Sequence, residues 1–268
     1  MNLEPVSSRE RVSLADKDAS PPKSLPKGDA LKQEIDKVLE RLRELQSVFY
    51  ADGRRALLIV LQGRDASGKD GVLRTVVGAA NPSGVRVQPF KAPTPVELSH
   101  DFLWRIHQVV PEKGMFGIFN RSHYEDVLVV RVRNLVPKKV WSKRYEQING
   151  FEKMLTDNGT VILKFFLHVS RDEQKERLIE RVKDESKNWK FNPGDLEERK
   201  LWDGYTSAYQ DAIAKCSTKW APWYVVPSDS NKARNYLIAK TIVDKLESLD
   251  LQYPKPKTDL DQYLKELK

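Results

Sequence analysis

At 268 residues, 40% of them apolar, the chain is long enough to bury a core as one domain or as a domain carrying an insertion. Its single cysteine, Cys216, excludes an internal disulfide, and no stretch nears the ~18 apolar residues of a transmembrane helix. No early segment reads as a secretion signal, so a reducing, cytoplasmic setting away from membranes is expected. The net charge of +8 is localised: residues 51–150 hold 16 basic against 9 acidic side chains, whereas 1–50 carry 9 and 9 and 151–268 carry 21 and 20. A polyanionic ligand in that block would explain the excess, and a generally basic, solubilising surface is the alternative.

Residues 1–28 are polar and rich in Pro, Ser and Lys, which predicts a flexible N-terminal arm, mobile or draped on the surface. From Leu31 to Tyr50, Ile35, Val38, Leu39, Leu42, Leu45 and Val48 recur at helical spacing between charges, which predicts an amphipathic helix. Apolar, β-rich runs follow at 56–62, 85–90, 114–120, 160–169 and 223–227, separated by stretches of helical character. That alternation predicts an α/β fold, a three-layer α/β/α sandwich around a parallel sheet, with residues 29–268 forming a single domain. The runs at 56–62 and 161–167 are almost continuously apolar, as strands covered on both faces should be. A charge-dense helical pair broken by NPGD at 192–195 occupies about 171–209 and reads as an excursion from the sheet.

The first strand runs into GRDASGKDG at 63–71, close to the Walker A pattern G-x-x-x-x-G-K-[ST] and followed by helical sequence. Backbone N–H groups of Gly63, Ala66, Ser67 and Gly68 would cradle phosphate, with Lys69 as a mobile cation. Asp70 stands where a hydroxyl normally binds Mg²⁺. It is either a replacement ligand or, the reading preferred here, a carboxylate favoured in a helix first turn. Asp65 inside the loop would repel bound phosphate by several kcal/mol unless a cation compensates, so it implies Mg²⁺ nearby.

A second constellation, IFNRSHYEDVLVVRVR at 118–133, places Asn120 and Arg121 at a strand end, with Glu125 and Asp126 a turn later. Metal ligands are sought among Asp65, Asn120, Glu125 and Asp126, and Arg121 can clamp phosphate bidentately. Arg131 and Arg133 are either further phosphate contacts or solvated. His123 reads as a hydrogen-bonded spacer, and His100, His107 and His168 carry no catalytic pattern. In the excursion, Ser170 and Glu173 form a capping box, while Arg177 and Arg181 share a helix face ahead of Lys187 and Lys190. Such a face can close as a lid over phosphate. Trp189, Trp202, Tyr205 and Tyr209 read as packing that anchors it.

GRDASGKDG, NPSGVRV, FNRSHYEDVLVVRV, KFFLHVSRDEQKERL, NWKFNPGDLEERKLWDGY and APWYVV, in that order, resemble the polyphosphate kinase type-2 family over roughly 30 to 250. The resemblance implies a thymidylate-kinase-like P-loop fold with a helical lid, dependence on Mg²⁺ with Mn²⁺ able to substitute, and homodimers or homotetramers. It implies reversible phosphoryl transfer between inorganic polyphosphate and nucleotides. By position, Asp65 would organise metal and acceptor phosphate, Lys69 would be the loop lysine, and Arg121, Arg133, Arg177 and Arg181 would contact the phosphate chain. Many members have Asp where this chain has Asn120, which shifts metal-binding weight to Glu125. The HYED form with Glu125 resembles the subgroup accepting both AMP and ADP, so AMP to ADP to ATP is the expected sequence, by in-line attack without a covalent intermediate. Guanine nucleotides are a further candidate acceptor, and no nucleic acid is expected to bind. The rivals are an ATP-dependent nucleoside monophosphate kinase and a non-enzymatic nucleotide- or RNA-binding protein. Residues 81–84 and the loop after Tyr224 are the candidate borders of a base pocket.

Overall fold

In the computed structural model, which describes residues 2–267, five strands form one parallel sheet in the order β2-β3-β1-β4-β5. They are β1 (Ala56–Gln62), β2 (Val85–Pro89), β3 (Phe116–Asn120), β4 (Thr160–His168) and β5 (Trp223–Pro227). The central strand pairs with both neighbours at once, Leu57 opposite Phe116 on one side and Val161 on the other. All seven residues of β1 are buried. Leu57, Ile59 and Leu61 enter one core and Leu58 and Val60 the other, so the unbroken apolar run is two period-2 faces superimposed.

The helices, in chain order, are α1 (Gly28–Asp52), α2 (Lys69–Thr75), α3 (Pro95–Leu98), α4 (Trp104–His107), α5 (Val129–Val132), α6 (Lys138–Asp157), α7 (Arg171–Lys183), α8 (Gly194–Lys200), α9 (Trp202–Cys216), α10 (Asn231–Glu247) and α11 (Asp261–Glu266). Ile35, Val38, Leu42 and Leu45 of α1 pack with Leu237, Ile238 and Ile242 of α10 on one face of the sheet. Ile148 and Phe151 of α6 pack with Ala212 and Ile213 of α9 on the other. This is the expected three-layer sandwich.

Boundaries differ from expectation where local geometry intervenes. The first helix runs past Tyr50 to Asp52 and is stopped by Gly53, whose left-handed φ of 62° lets its N–H close onto the Phe49 carbonyl. β3 starts at Phe116, because Gly114 and Met115 form a turn instead. The 171–209 excursion is three helices and a 3-10 turn at Glu185–Lys190, and its limit at 209 falls inside α9, whose C-terminal half is core.

The N-terminal arm is docked, not free. Val6 N–H donates to the Trp223 carbonyl at 2.8 Å, Ser217 Oγ to the Val6 carbonyl at 2.6 Å, and His168 Nε2 lies 2.9 Å from the Ala15 carbonyl. Leu14, Ala19 and Leu25 are buried. Three apolar residues spaced through a polar segment give no periodicity, but each finds a pocket on the domain, and the backbone bonds hold the strand edge at β5.

Candidate active site

The strands all point the same way, so their C-terminal ends converge on one edge, where open parallel sheets bind ligands. There the chain leaves β1 through residues 63–68 and enters α2. Ala66 at φ 60° and Gly68 at φ 99° turn the backbone back on itself. Left-handed backbone at a non-glycine residue is strained and persists where the surroundings over-determine it. Lys69 Nζ folds over the loop, donating to the Gly63 carbonyl at 2.7 Å and the Arg64 carbonyl at 3.1 Å. Burial, reinforced by the nearby Arg121 cation, lowers the Lys69 pKa to about 8.

Adjacent strand ends bring the two sequence constellations together. Arg121, also left-handed at φ 61°, leaves β3 beside Leu61 of β1, and its Nη2 meets Asp65 Oδ1 at 2.8 Å. Glu125 sits one turn on, in the 3-10 turn His123–Val127. Burial pushes its carboxyl pKa up, against the pull of Arg121 and Lys69. That turn rests on a buried network: Glu152 accepts from Tyr124 Oη at 2.9 Å and Lys164 Nζ at 2.5 Å, with His123 Nε2 at 3.2 Å. His123 is therefore a spacer, as expected, and burial of Glu152 is outweighed by Lys164 and His123, which hold its pKa low.

Residues able to hold a divalent ion converge here. Among the described residues no three His, Cys, Asp or Glu side chains group around one point. Mg²⁺ keeps most of its water and binds through one or two carboxylates plus substrate phosphates, which does not need such a group. Asp65 and Glu125 supply two carboxylates, Asn120 stands at the end of β3, and the buried Gln62 Oε1 beside Glu125 has no hydrogen-bond partner among the described residues. The donor set fits a hard cation.

The Asp65–Arg121 pair lines two cavities. One, of about 610 Å³, contains the loop residues Ala66 to Gly71 and is walled by eight cations, Lys69, Arg74, Arg121, Arg177, Arg181, Lys187, Lys190 and Arg234, against Asp65, Asp70 and Glu180. The other, of about 230 Å³, reverses that balance: Arg64, Arg121 and Arg199 face Asp65, Glu125, Asp195 and Glu198 beside Trp202, Tyr205 and Tyr209.

The remaining candidates fall into place unevenly. Asn120 and Arg181 line the cationic groove, Arg181 also pairing with Asp195 at 3.0 Å. Arg177 lines it too, but its donors are engaged by Glu173 and by the carbonyls of Ala66, Ser228 and Asp229, so it ties the loop to the lid. Arg133 pairs with Glu198 at 2.7 Å and lines neither cavity, and Arg131 pairs with Asp211. Asp70 is exposed and meets Lys190 Nζ at 3.3 Å. Trp202 and Tyr209 are largely buried as packing residues and also line the smaller cavity, whereas Trp189 is 78% exposed at the groove, because the 3-10 turn around it has no core to face. Residues 81–84 precede β2 at the opposite edge of the sheet, so they border no base pocket, while the turn after β5 does approach the groove through Asn231.

Sequence reasoning missed Arg64, whose guanidinium stacks on Trp202 at 3.9 Å and bonds Thr206 Oγ1 at 2.5 Å. It also missed Asn231, Arg234 and Asn235, which reach the loop from the first turns of α10. The available signal was polar residues at i, i+3 and i+4 opening a helix whose next turn, Tyr236 to Ala239, is apolar.

A family model described as polyphosphate kinase 2 matches residues 26–254. The chain belongs to the polyphosphate kinase 2 family. It is 58% identical over 218 residues, 81% of this chain and 82% of the other, to an AMP/ADP-polyphosphate phosphotransferase of Meiothermus ruber. It is 45% identical over 228 residues, 81% and 79% of the chains, to an ADP-polyphosphate phosphotransferase of Rhodopseudomonas palustris. The crystal structure of polyphosphate kinase 2 from Arthrobacter aurescens TC1 superimposes with a TM-score of 0.90 at 41% identity, covering 99% of this chain and 98% of that one. Membership makes the chain a phosphate-transferring enzyme with a P-loop kinase-like fold. No helix among the described residues is long and apolar enough to cross a membrane.

Proposed function

We propose that the chain transfers the terminal phosphate of inorganic polyphosphate to AMP and ADP, giving ADP and ATP, reversibly and with Mg²⁺, for which Mn²⁺ can substitute. The observation that carries this reading is the pair of cavities meeting at Asp65–Arg121. A groove with eight cations suits a repeating polyanion that offers charge and no other feature. The smaller cavity, with flat aromatic walls and carboxylates, suits a nucleotide, and its acidic rim opposes a second polyanion.

A terminal oxygen of the acceptor phosphate attacks the end phosphorus of polyphosphate in line. The new P–O bond forms as the bond to the rest of the chain breaks, and the shortened polyphosphate leaves with the electron pair. The attacking oxygen is already ionised, so no general base is required, and catalysis rests on positioning and charge. Lys69 follows the moving phosphoryl group, Arg121 clamps it between the cavities, and the backbone N–H groups of Gly63, Ala66 and Gly68 hold the donor end, while that of Ser67 is engaged by the Arg64 carbonyl. Arg181 closes over it from α7, while Arg177 and Arg133 act through the loop and the lid. A bound Mg²⁺, held by Asp65 and Glu125 with Asn120 or Gln62 in reach, would neutralise charge on the phosphate oxygens. Glu125 and the AMP/ADP relative from Meiothermus ruber support acceptance of AMP as well as ADP. A cytoplasmic homodimer or homotetramer is the form proposed, which sedimentation of the purified protein checks.

The deciding assay supplies AMP or ADP with Mg²⁺ and either polyphosphate or a nucleoside triphosphate as donor. ATP formed with polyphosphate supports the reading, and parallel wells with GMP or GDP define base tolerance. Turnover with nucleoside triphosphate donors alone would make the chain an ordinary nucleotide kinase.

A further inference from the structure

Arg234 in the first turn of α10 is 1% exposed, yet none of its hydrogen bonds reaches a carboxylate. Nη1 donates to Asn231 Oδ1 at 2.6 Å and to the Ser67 carbonyl at 3.5 Å, and Nη2 and Nε donate to Asn235 Oδ1 at 3.0 and 3.2 Å. Burial, and secondarily the like charge of Arg177, lowers its pKa to about 10, so it stays ionised at neutral pH. Buried ions are normally paired, because an unpaired one forfeits its hydration and receives nothing in return. This one lacks an acidic partner among the described residues and lies directly beneath the proposed phosphate loop.

The fit between loop and arginine is close. A Cβ at Gly68 would stand 2.0 Å from Arg234 Nη1, and one at Gly71 would stand 2.6 Å from Nη2. Gly71 is not demanded by the phosphate-loop pattern, and its φ is ordinary, so the guanidinium is the feature that requires glycine there. Arg234 also lines the cationic groove, flanked by Asn231 and Asn235.

We propose that Arg234 is a fixed, buried cation whose missing counter-ion is the polyphosphate donor: it strengthens donor binding through the loop and leaves the nucleotide side untouched. The proposal rests on the reading that the cationic groove holds polyphosphate. Its charge acts from a buried position beneath the loop, where a unit charge is felt without direct contact.

The test begins with the wild-type enzyme, Mg²⁺, ADP and polyphosphate. Absence of ATP here would remove the reading of the groove before Arg234 is touched. With wild-type turnover established, Arg234→Gln keeps hydrogen-bond donors but removes the charge, and Arg234→Lys keeps the charge. Arg234→Gln should raise the KM for polyphosphate roughly tenfold or more, leave the KM for ADP within about twofold, and lose the upward Tm shift given by inorganic tripolyphosphate. Arg234→Lys should hold the polyphosphate KM within about threefold of wild type. Gly71→Ala, which pushes the guanidinium aside, should reproduce the split seen with Gln. The proposal is overturned if Arg234→Gln keeps the polyphosphate KM and the tripolyphosphate shift. It is equally overturned if Gln and Lys raise both KM values alike, as a purely structural arginine would.

Discussion

The two cavities on either side of Asp65 and Arg121 are built from the same loop and lid, yet they differ in kind. The larger is defined by charge density, with lysines and arginines drawn from the loop, α7, the 3-10 turn and α10. The smaller is defined by surface, with Trp202, Tyr205 and Tyr209 presented by one helix and balanced by carboxylates. A polymer with no features beyond its charge can be selected only by the first kind of site. A nucleotide can be selected by the second, and separating the two by a single carboxylate–guanidinium pair places the reacting groups where the sites touch.

The largest effect should come from breaking the wall itself. Asp65→Asn releases Arg121 and removes a carboxylate proposed to hold the metal, so kcat should fall ~100-fold or more with both AMP and ADP while the fold, read by circular dichroism, is kept. Full activity in that variant would remove Asp65 from the chemistry. Next come variants confined to one cavity. Trp202→Ala should raise the nucleotide KM about tenfold and leave that for polyphosphate near wild type. It should also lower Tm, because it uncovers the buried Arg64 guanidinium, whose Nε and Nη1 have no other partner among the described residues. Arg181→Ala should do the reverse, raising the polyphosphate KM several-fold, and raising ionic strength should weaken polyphosphate far more than nucleotide. If both substrates respond alike to Trp202→Ala and to salt, the division of labour is wrong.

Much of this comparison was legible in the sequence, but only one side of it. ALLIVLQ announced a doubly covered strand, and the loop glycines with Lys69 announced a phosphate cradle, because both depend on local spacing. The meeting of Asp65 with Arg121 followed from their placing at two strand ends, but which strands are neighbours is a property of sheet order, and β3 lies beside β1 across a crossover. Arg64 and Arg234 were silent for the same reason: each reaches a partner more than a hundred residues away, Trp202 for Arg64 and Ser67 for Arg234. Arg177 was visible as a cation but not as a tether, since its partners are backbone carbonyls, which carry no sequence signal. The sequence left the arm either mobile or draped, and the docking contacts were not legible because its three buried apolar residues lack any period.

A finer effect separates the two sides by pH. Lys69 has its pKa depressed to about 8, so in the free enzyme its charge is present below that pH and is lost as pH rises through it. Polyphosphate KM should therefore climb above pH ~8, well before an ordinary lysine near 10.4 would respond. Glu125, raised by burial, behaves oppositely: its charge is lost as pH falls through a pKa above the usual carboxylate range. The acid limb of kcat should accordingly lie higher than a normal glutamate would place it, and Glu125→Gln should remove that limb while leaving the alkaline rise in polyphosphate KM intact. A profile of unchanged shape in Glu125→Gln assigns the limb to the substrate phosphates instead.

The smallest effect concerns Asp70, the residue that stands where the loop pattern has a hydroxyl. Its carboxylate is 59% exposed and meets Lys190 of the lid at 3.3 Å. It lines the cationic groove, whereas Glu125 lines the smaller cavity. An exposed pair of this kind contributes ~0 to 1 kcal/mol and is screened by salt. Asp70→Asn should therefore change Tm by no more than a few degrees and the polyphosphate KM by less than about threefold, with the Mg²⁺ concentration for half-maximal rate unchanged. A rise in that Mg²⁺ requirement would return Asp70 to the metal. It would also move the proposed ion into the cationic groove, and the acceptor side would then depend on Arg64, Arg121 and Arg199 for positive charge.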